Sequence, residues 1–158
     1  MRKIETLVEA KTYLRGSWKK GVSCPCCGQF VKLYKRKLSS VMSRMLIRLY
    51  HLPQGYNHVS KICKDISNTG THDFSKLTYW GLIQEQVNTD TKKRTSGNWK
   101  ITEKGCQYVE KRITMPSHVF VYNSKKQGFS ETMTTITKSL GVKFNYSELM
   151  KTTKEWQN

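Results

Sequence analysis

Residues 38–113 alternate between two hydrophobic periods, and this alternation most narrows the folds open to the 158-residue chain. In "LSSVMSRMLIRLYHLP", Met42, Met45, Leu46 and Leu49 fall at helical spacing. Ser39 or Ser40 is available as N-cap, and Pro53 stops the helix. Ser43, Arg44 and Arg48 fall on its opposite face, and the methionines read as core fillers. "YNHVSKICKDIS" predicts a short second helix burying Val59, Ile62 and Ile66, and "SNTG" predicts a turn. Asp73 can cap a third helix, "DFSKLTYW", that buries Phe74 and Leu77 and ends at Gly81. The period then changes. "LIQEQV" alternates like a strand, "NTDTKKRTSGN" is a polar loop and "WKI" is a second strand. Thr102 can cap a last helix, "EKGCQYVEKRI", with Cys106, Val109 and Ile113 on one face. Trp80 and Trp99 flank the ribbon and are expected to pin it to the helices.

The flanks are less regular. Residues 3–15 predict a helix with Ile4, Leu7, Val8 and Leu14 as apolar positions. Residues 19–37, "KKGVSCPCCGQFVKLYKRK", read as turn plus strand, with apolar bulk from Phe30, Leu33 and Tyr34. In "MPSHVFVYN", Val119 and Val121 oppose Phe120 and Tyr122, and Asn145 with Glu148 has capping-box spacing. No repeat or low-complexity linker divides the chain. The expected organisation is an N-terminal helix and cysteine knuckle (residues 1–37), a core (38–113) and a C-terminal extension packed on it (114–158).

The order helix, helix, helix, strand, basic loop, strand, helix resembles the winged helix-turn-helix superfamily over residues 38–113, and "NWKITEKG" is the most recognisable piece. The resemblance implies a winged helix-turn-helix core, and with the flanks read above the expected fold is α+β, that core carrying an N-terminal cysteine-knuckle segment and a C-terminal α/β tail. It also implies that the third helix and the ribbon loop are free to contact DNA. Over nearly its full length the chain is also similar to a group of small bacteriophage and prophage proteins. That similarity rests on "CPCCGQFVKLYKRKL", "KLTYWGLI", "WKITEKG", "MPSHVFVYN" and "LGVKFNYSELM". It implies action in the cytoplasm of a bacterial host.

The formal net charge of +17 far exceeds what solubility requires and points to a polyanionic partner. No run of about eighteen apolar residues suggests a membrane span. The N-terminus lacks the apolar stretch of a secretory signal, so an intracellular protein with reduced cysteines is expected. On the third helix Ser75, Lys76, Thr78 and Tyr79 face away from Phe74 and Leu77, and Lys92, Lys93 and Arg94 occupy the loop tip. These seven residues are the candidate nucleic-acid contacts, with double-stranded DNA or another nucleic acid as partner. The helix carries no Arg, Asn or Gln to grip a base edge bidentately, so strong sequence specificity is not expected. Lys19, Lys20, Lys32, Lys35, Arg36 and Lys37, which flank the cysteines, form a second candidate surface.

Cys24 and Cys27 have the spacing of a metal knuckle, with Gly28 freeing the backbone to turn. One knuckle supplies half of a zinc site. Among the possible completing ligands, Cys26, His51, His58, Cys63, His72 and Cys106, the pair His58 and Cys63 is singled out, although its spacing is not a standard one. No P-loop, G-x-G-x-x-G or G-x-S-x-G occurs and the eleven acids are scattered, so an enzyme is not expected. Two functions fit. One is a phage-type nucleic-acid-binding protein acting in transcription, replication or recombination. The other is a phage-encoded inhibitor that binds a host protein, such as a defence or nucleic-acid-handling complex. The positive charge argues against mimicry of DNA, which would need an acidic surface.

Overall fold

A computed structural model of the chain describes residues 3–64, 66 and 71–151. The N-terminal third holds α1 (Leu7–Ser17), β1 (Val22–Ser23), β2 (Phe30–Val31) and β3 (Tyr34–Lys37). The middle holds α2 (Ser40–His51), β4 (Asn57–His58), α3 (Val59–Ile62), a 3-10 helix (Thr71–Trp80), β5 (Ile83–Glu85), β6 (Asn98–Ile101) and α4 (Glu103–Val109). The last third holds β7 (Met115–Pro116), β8 (His118–Tyr122), β9 (Lys125–Phe129), β10 (Met133–Thr134), α5 (Ile136–Leu140) and α6 (Tyr146–Lys151). The fold is thus mixed α and β. The turn expected over residues 67–70, and Asp65, lie outside the described residues.

Helix α2 is the axis of the core. Ser39 caps it by accepting a hydrogen bond from the Met42 N–H at 3.3 Å. Met42, Met45, Leu46 and Leu49 are buried as their spacing predicts. The opposite face corrects the expectation, because Ser43 and Arg48 are buried too. Both make hydrogen bonds inside. Ser43 Oγ donates to Ser139 Oγ at 2.8 Å, and Arg48 Nη1 donates to the carbonyls of Ile62 and Lys64. Tyr108 on α4 lies 3.0 Å from the same Ser139 hydroxyl. One buried polar network therefore joins α2, α4 and α5, so the C-terminal extension covers the side of α2 that its own period marks as polar.

Strands β4, β6 and β5 form one antiparallel sheet in that order, with Asn57 opposite Trp99 and Ile83 opposite Ile101. Trp99 and Trp80 are buried as expected. Trp99 meets Phe74 edge-on at 5.9 Å, and the Trp80 indole donates to the Pro116 carbonyl at 2.8 Å. The "WKITEKG" string has a packing cause. Thr102 caps α4 by accepting from the Gly105 N–H at 3.0 Å, and its hydroxyl donates to the Gly81 carbonyl. A Cβ on Gly105 would sit 2.2 Å from the Leu82 carbonyl oxygen, so only glycine lets the helix cross the end of β5 this closely. Tyr108 and Val109 are buried on α4, and Ile113 lies beyond its end.

The second three-stranded sheet has the order β3-β8-β9. Strand β3 lies some eighty residues before β8 yet pairs with it, Lys35 opposite Phe120 and Lys37 opposite His118. Val119 and Val121 face the core. Asn123 and Ser124, both at positive φ, make the tight β8–β9 turn. Asn145 caps α6 as expected, accepting from the Glu148 N–H at 3.1 Å. A full reciprocal capping box is present at Thr6 and Glu9 on α1. The N-terminal segment departs most from expectation. Leu7 is 65% exposed, Val8 74% and Phe30 60%, and on α1 only Ala10 is buried.

Candidate nucleic-acid interface and cysteine turn

The segment from Thr71 to Trp80 is a 3-10 helix, with three residues per turn, and this geometry sorts its side chains into rows. Phe74, Leu77 and Trp80, three apart, all lie in the core. Ser75 and Thr78 form an exposed row, with the Thr78 hydroxyl donating to the Ser75 carbonyl at 2.8 Å. Asp73, Lys76 and Tyr79 form the third row, which is half-buried rather than fully outward as the sequence predicts. The reason is the neighbouring sheet. The Tyr79 hydroxyl donates to the Ser124 carbonyl at 3.0 Å, and Lys76 pairs with Asp73. Asp73 thus serves as an ion-pair partner on this row.

This third row opens into a cleft of about 270 Å³ between the 3-10 helix and the second sheet, lined by Tyr34, Arg36, Lys76, Tyr79, Asn123 and Ser124. Arg36 also stacks over Tyr34, with its guanidinium carbon 5.1 Å from the ring centre. Two cations from segments forty residues apart therefore meet at one opening. Tyr34, Asn123 and Ser124 were not candidates from sequence. The only signal for the last two was a pair of turn-forming residues between alternating strands, and that gives no hint of what the turn touches.

Lys92, Lys93 and Arg94 are exposed on the β5–β6 loop. The loop is held by its own side chains. Asn88 Nδ2 donates to the Lys93 carbonyl at 2.7 Å, Asp90 accepts from the Lys92 N–H at 2.9 Å, and Glu85 accepts from the Ser96 N–H at 2.9 Å. These bonds shape the backbone and leave the three cationic side chains in solvent. Ion pairs among the described residues engage Lys3, His72, Lys76 and Arg112, and with 28 lysines and arginines against eleven acids most cations have no carboxylate of their own.

The cysteine turn joins β1 to β2. The Gly28 N–H donates to the Cys24 carbonyl and the Cys24 N–H to the Gln29 carbonyl, each at 2.8 Å. Gly28 has φ +77°, as expected for its role in the turn. The Cys27 backbone N–H, and then that of Cys26, point at the Cys24 sulfur and hold its thiol below the ordinary value. Burial and the neighbouring Cys24 push Cys26 up. His58 and Cys63 do not complete a site with Cys24 and Cys27. His58 Nδ1 caps α3, accepting from the Ser60 N–H at 3.1 Å. Cys63 packs on the core with its sulfur 3.6 Å from that of Met45, and burial raises its thiol. A closed zinc site takes four ligands. Among the described residues no group of three or more His, Cys, Asp or Glu side chains is placed to hold a metal, so the set Cys24, Cys27, His58 and Cys63 is not assembled. No helix among them is long and apolar enough to cross a membrane.

No family model, curated protein or solved structure matches this chain.

Proposed function

We propose that residues 38–113 act as a winged helix-turn-helix unit and that the protein binds double-stranded DNA in transcription, replication or recombination, as a phage-type protein would. One observation carries this reading: Arg36 and Lys76 converge on the open cleft beside the exposed row Ser75 and Thr78. The sheet order β4-β6-β5 and the helical segments before it support this reading, and the loop cations Lys92, Lys93 and Arg94 extend the surface. Binding of this kind is dominated by phosphate contacts. Lys76 is partly neutralised by Asp73, Tyr79 is tied to Ser124 and the Thr78 hydroxyl donates to the Ser75 carbonyl, so the helix has few groups left to read base edges. The reading therefore predicts weak sequence preference and steep salt dependence.

The test replaces Lys76, Lys92, Lys93 and Arg94 together by glutamine and measures duplex affinity by fluorescence anisotropy over a salt series. We expect a nearly unchanged melting temperature, weaker binding, and a salt slope shallower by about 0.9 for each phosphate that the variant no longer neutralises. Parental affinity and slope in the variant would remove this face from consideration. The alternative, an inhibitor that docks on a host protein, draws on a different observation: Leu7 and Val8 stand exposed on α1, where Val8 lines an apolar groove. Recovery of one host protein from nuclease-treated lysate, abolished on replacing Leu7 and Val8 by serine, would favour it.

A further inference from the structure

The second sheet has two faces, and the DNA-binding surface proposed above uses only one. Strand β3, "YKRK", is an edge strand with all four residues exposed. Its alternation sends Tyr34 and Arg36 to the cleft side, opposite Val121 and Val119. Lys35 and Lys37 therefore point to the other side, in register with Phe120 and His118. Across β8 the same face receives Lys125 opposite Tyr122, and Gly128 opposite Phe120. Gly128 adds no side chain of its own opposite Phe120, and a Cβ there would meet open space. Phe120 and Tyr122 are half-buried, yet neither belongs to the apolar cluster of the core nor packs against it. Trp18, just past α1, lies against Tyr122 with ring centres 5.7 Å apart and planes tilted by 48°. Burial, and then the charges of Lys35 and Lys37, lower the His118 pKa, which agrees with both lysines standing on its side of the sheet. Strands β3, β8 and β9 contain no acidic residue.

We infer that this outward face is a second nucleic-acid site, which takes one unpaired strand by stacking bases on Phe120 and Tyr122 while Lys35, Lys37 and Lys125 meet its phosphates. Three strands at about 4.8 Å spacing give a platform about 10 Å wide, the width of a single strand rather than a duplex. Residues 120 and 122 stand two apart on one face, about 7 Å from each other, a spacing that suits successive splayed bases. In a duplex the bases are already stacked on each other and do not offer their faces to a flat sheet. Stacking reads no base edge, so the site is expected to be tolerant of sequence. The inference goes beyond duplex binding and does not depend on it, because it uses the opposite face of the sheet and other residues.

The probe is a fluorescein-labelled oligothymidylate of about 12 nucleotides, within the site sizes usual for such platforms. The unchanged protein is crosslinked to it with ultraviolet light and the modified residues are mapped by mass spectrometry. Crosslinks at Phe120 or Tyr122 are expected. Replacing Phe120→Leu and Tyr122→Leu together keeps apolar bulk on the strand and should weaken oligothymidylate binding by about fivefold or more, while duplex affinity stays within about twofold. Replacing Lys35, Lys37 and Lys125 by glutamine should make the salt dependence of oligothymidylate binding shallower. Three results would each overturn the inference: no binding of the oligonucleotide at physiological salt, crosslinks confined to residues outside this face, or equal losses for duplex and single strand in the aromatic variant. If that variant fails to fold, the crosslinks on the unchanged chain and the lysine variant decide between the same outcomes.

Discussion

Helices α1 and α2 are nearly equal in length, eleven and twelve residues, but α2 buries seven residues and α1 only Ala10. Both carry apolar residues at helical spacing. The difference lies in what surrounds them. Helix α2 is covered by α3, α4, α5, α6 and the 3-10 helix. Helix α1 leaves Leu7 and Val8 in solvent and owes its local order to the capping box Thr6–Glu9. Helical periodicity shows that a face can be buried, but the partner that buries it comes from elsewhere in the chain.

The comparison is broken most directly by truncating one leucine in each region. Leu77, fully buried beneath the 3-10 helix, should cost about 2–5 kcal/mol when replaced by alanine. Leu7→Ala should stay within about 0.5 kcal/mol. Equal losses in urea denaturation would mean that α1 is covered in solution. A second core test is Gly105→Ala. The new Cβ would meet the Leu82 carbonyl oxygen, which is backbone and cannot swing aside, so a loss of about 1–3 kcal/mol or more is expected in the same assay.

The buried network sharpens the contrast through pH. Burial pushes Tyr108 up to about 12, above the ordinary value of 10.0. In the unfolded chain the phenol ionises near pH 10, whereas in the fold it stays protonated until about pH 12. The unfolded state therefore binds fewer protons in this window, and stability falls as pH rises through it. The contribution is present in full below pH 10, and about 2–3 kcal/mol of it is gone by pH 12. Tyr108→Phe should flatten that part of the stability profile. If the profile keeps its slope in the variant, another group is responsible.

The smallest effect belongs to the N-terminal segment. Two backbone N–H groups lower the Cys24 thiol, whereas burial raises those of Cys63 and Cys106. Iodoacetamide at neutral pH should therefore label Cys24 ahead of Cys63 and Cys106 by mass spectrometry. Protection of Cys24 and Cys27 by stoichiometric zinc would indicate a completed metal site, contrary to the half-site geometry of the turn.

Much of the middle of the chain was legible in its sequence. The caps at Ser39, Thr102 and Asn145, the buried rows on α2 and the 3-10 helix, and the two buried tryptophans all follow from local rules. Such rules act within one or two turns, where a side chain meets its own backbone or repeats along one face. The cationic loop tip was equally legible, because its exposure needs no distant partner. Tertiary structure decided the rest. Ser43 and Arg48 read as solvent-facing until α5 and the carbonyls of Ile62 and Lys64 are brought to them. Lys76 and Tyr79 turn toward a cleft only because the Asn123–Ser124 turn packs beside them. The sides to which Lys35 and Arg36 point depend on β3 pairing with β8, and no local pattern within "YKRK" specifies that pairing. His58 and Cys63 likewise looked available as ligands until helix capping and core packing engaged them. The sequence by itself thus determined most of the helices of the core, the strands of its ribbon and where charge accumulates, because those depend on neighbours along the chain, whereas Asn57–His58, read as helix, is drawn into a strand by its pairing with β6. Only the tertiary structure decided which faces are covered and which cations share a surface, because burial is settled between segments far apart in sequence.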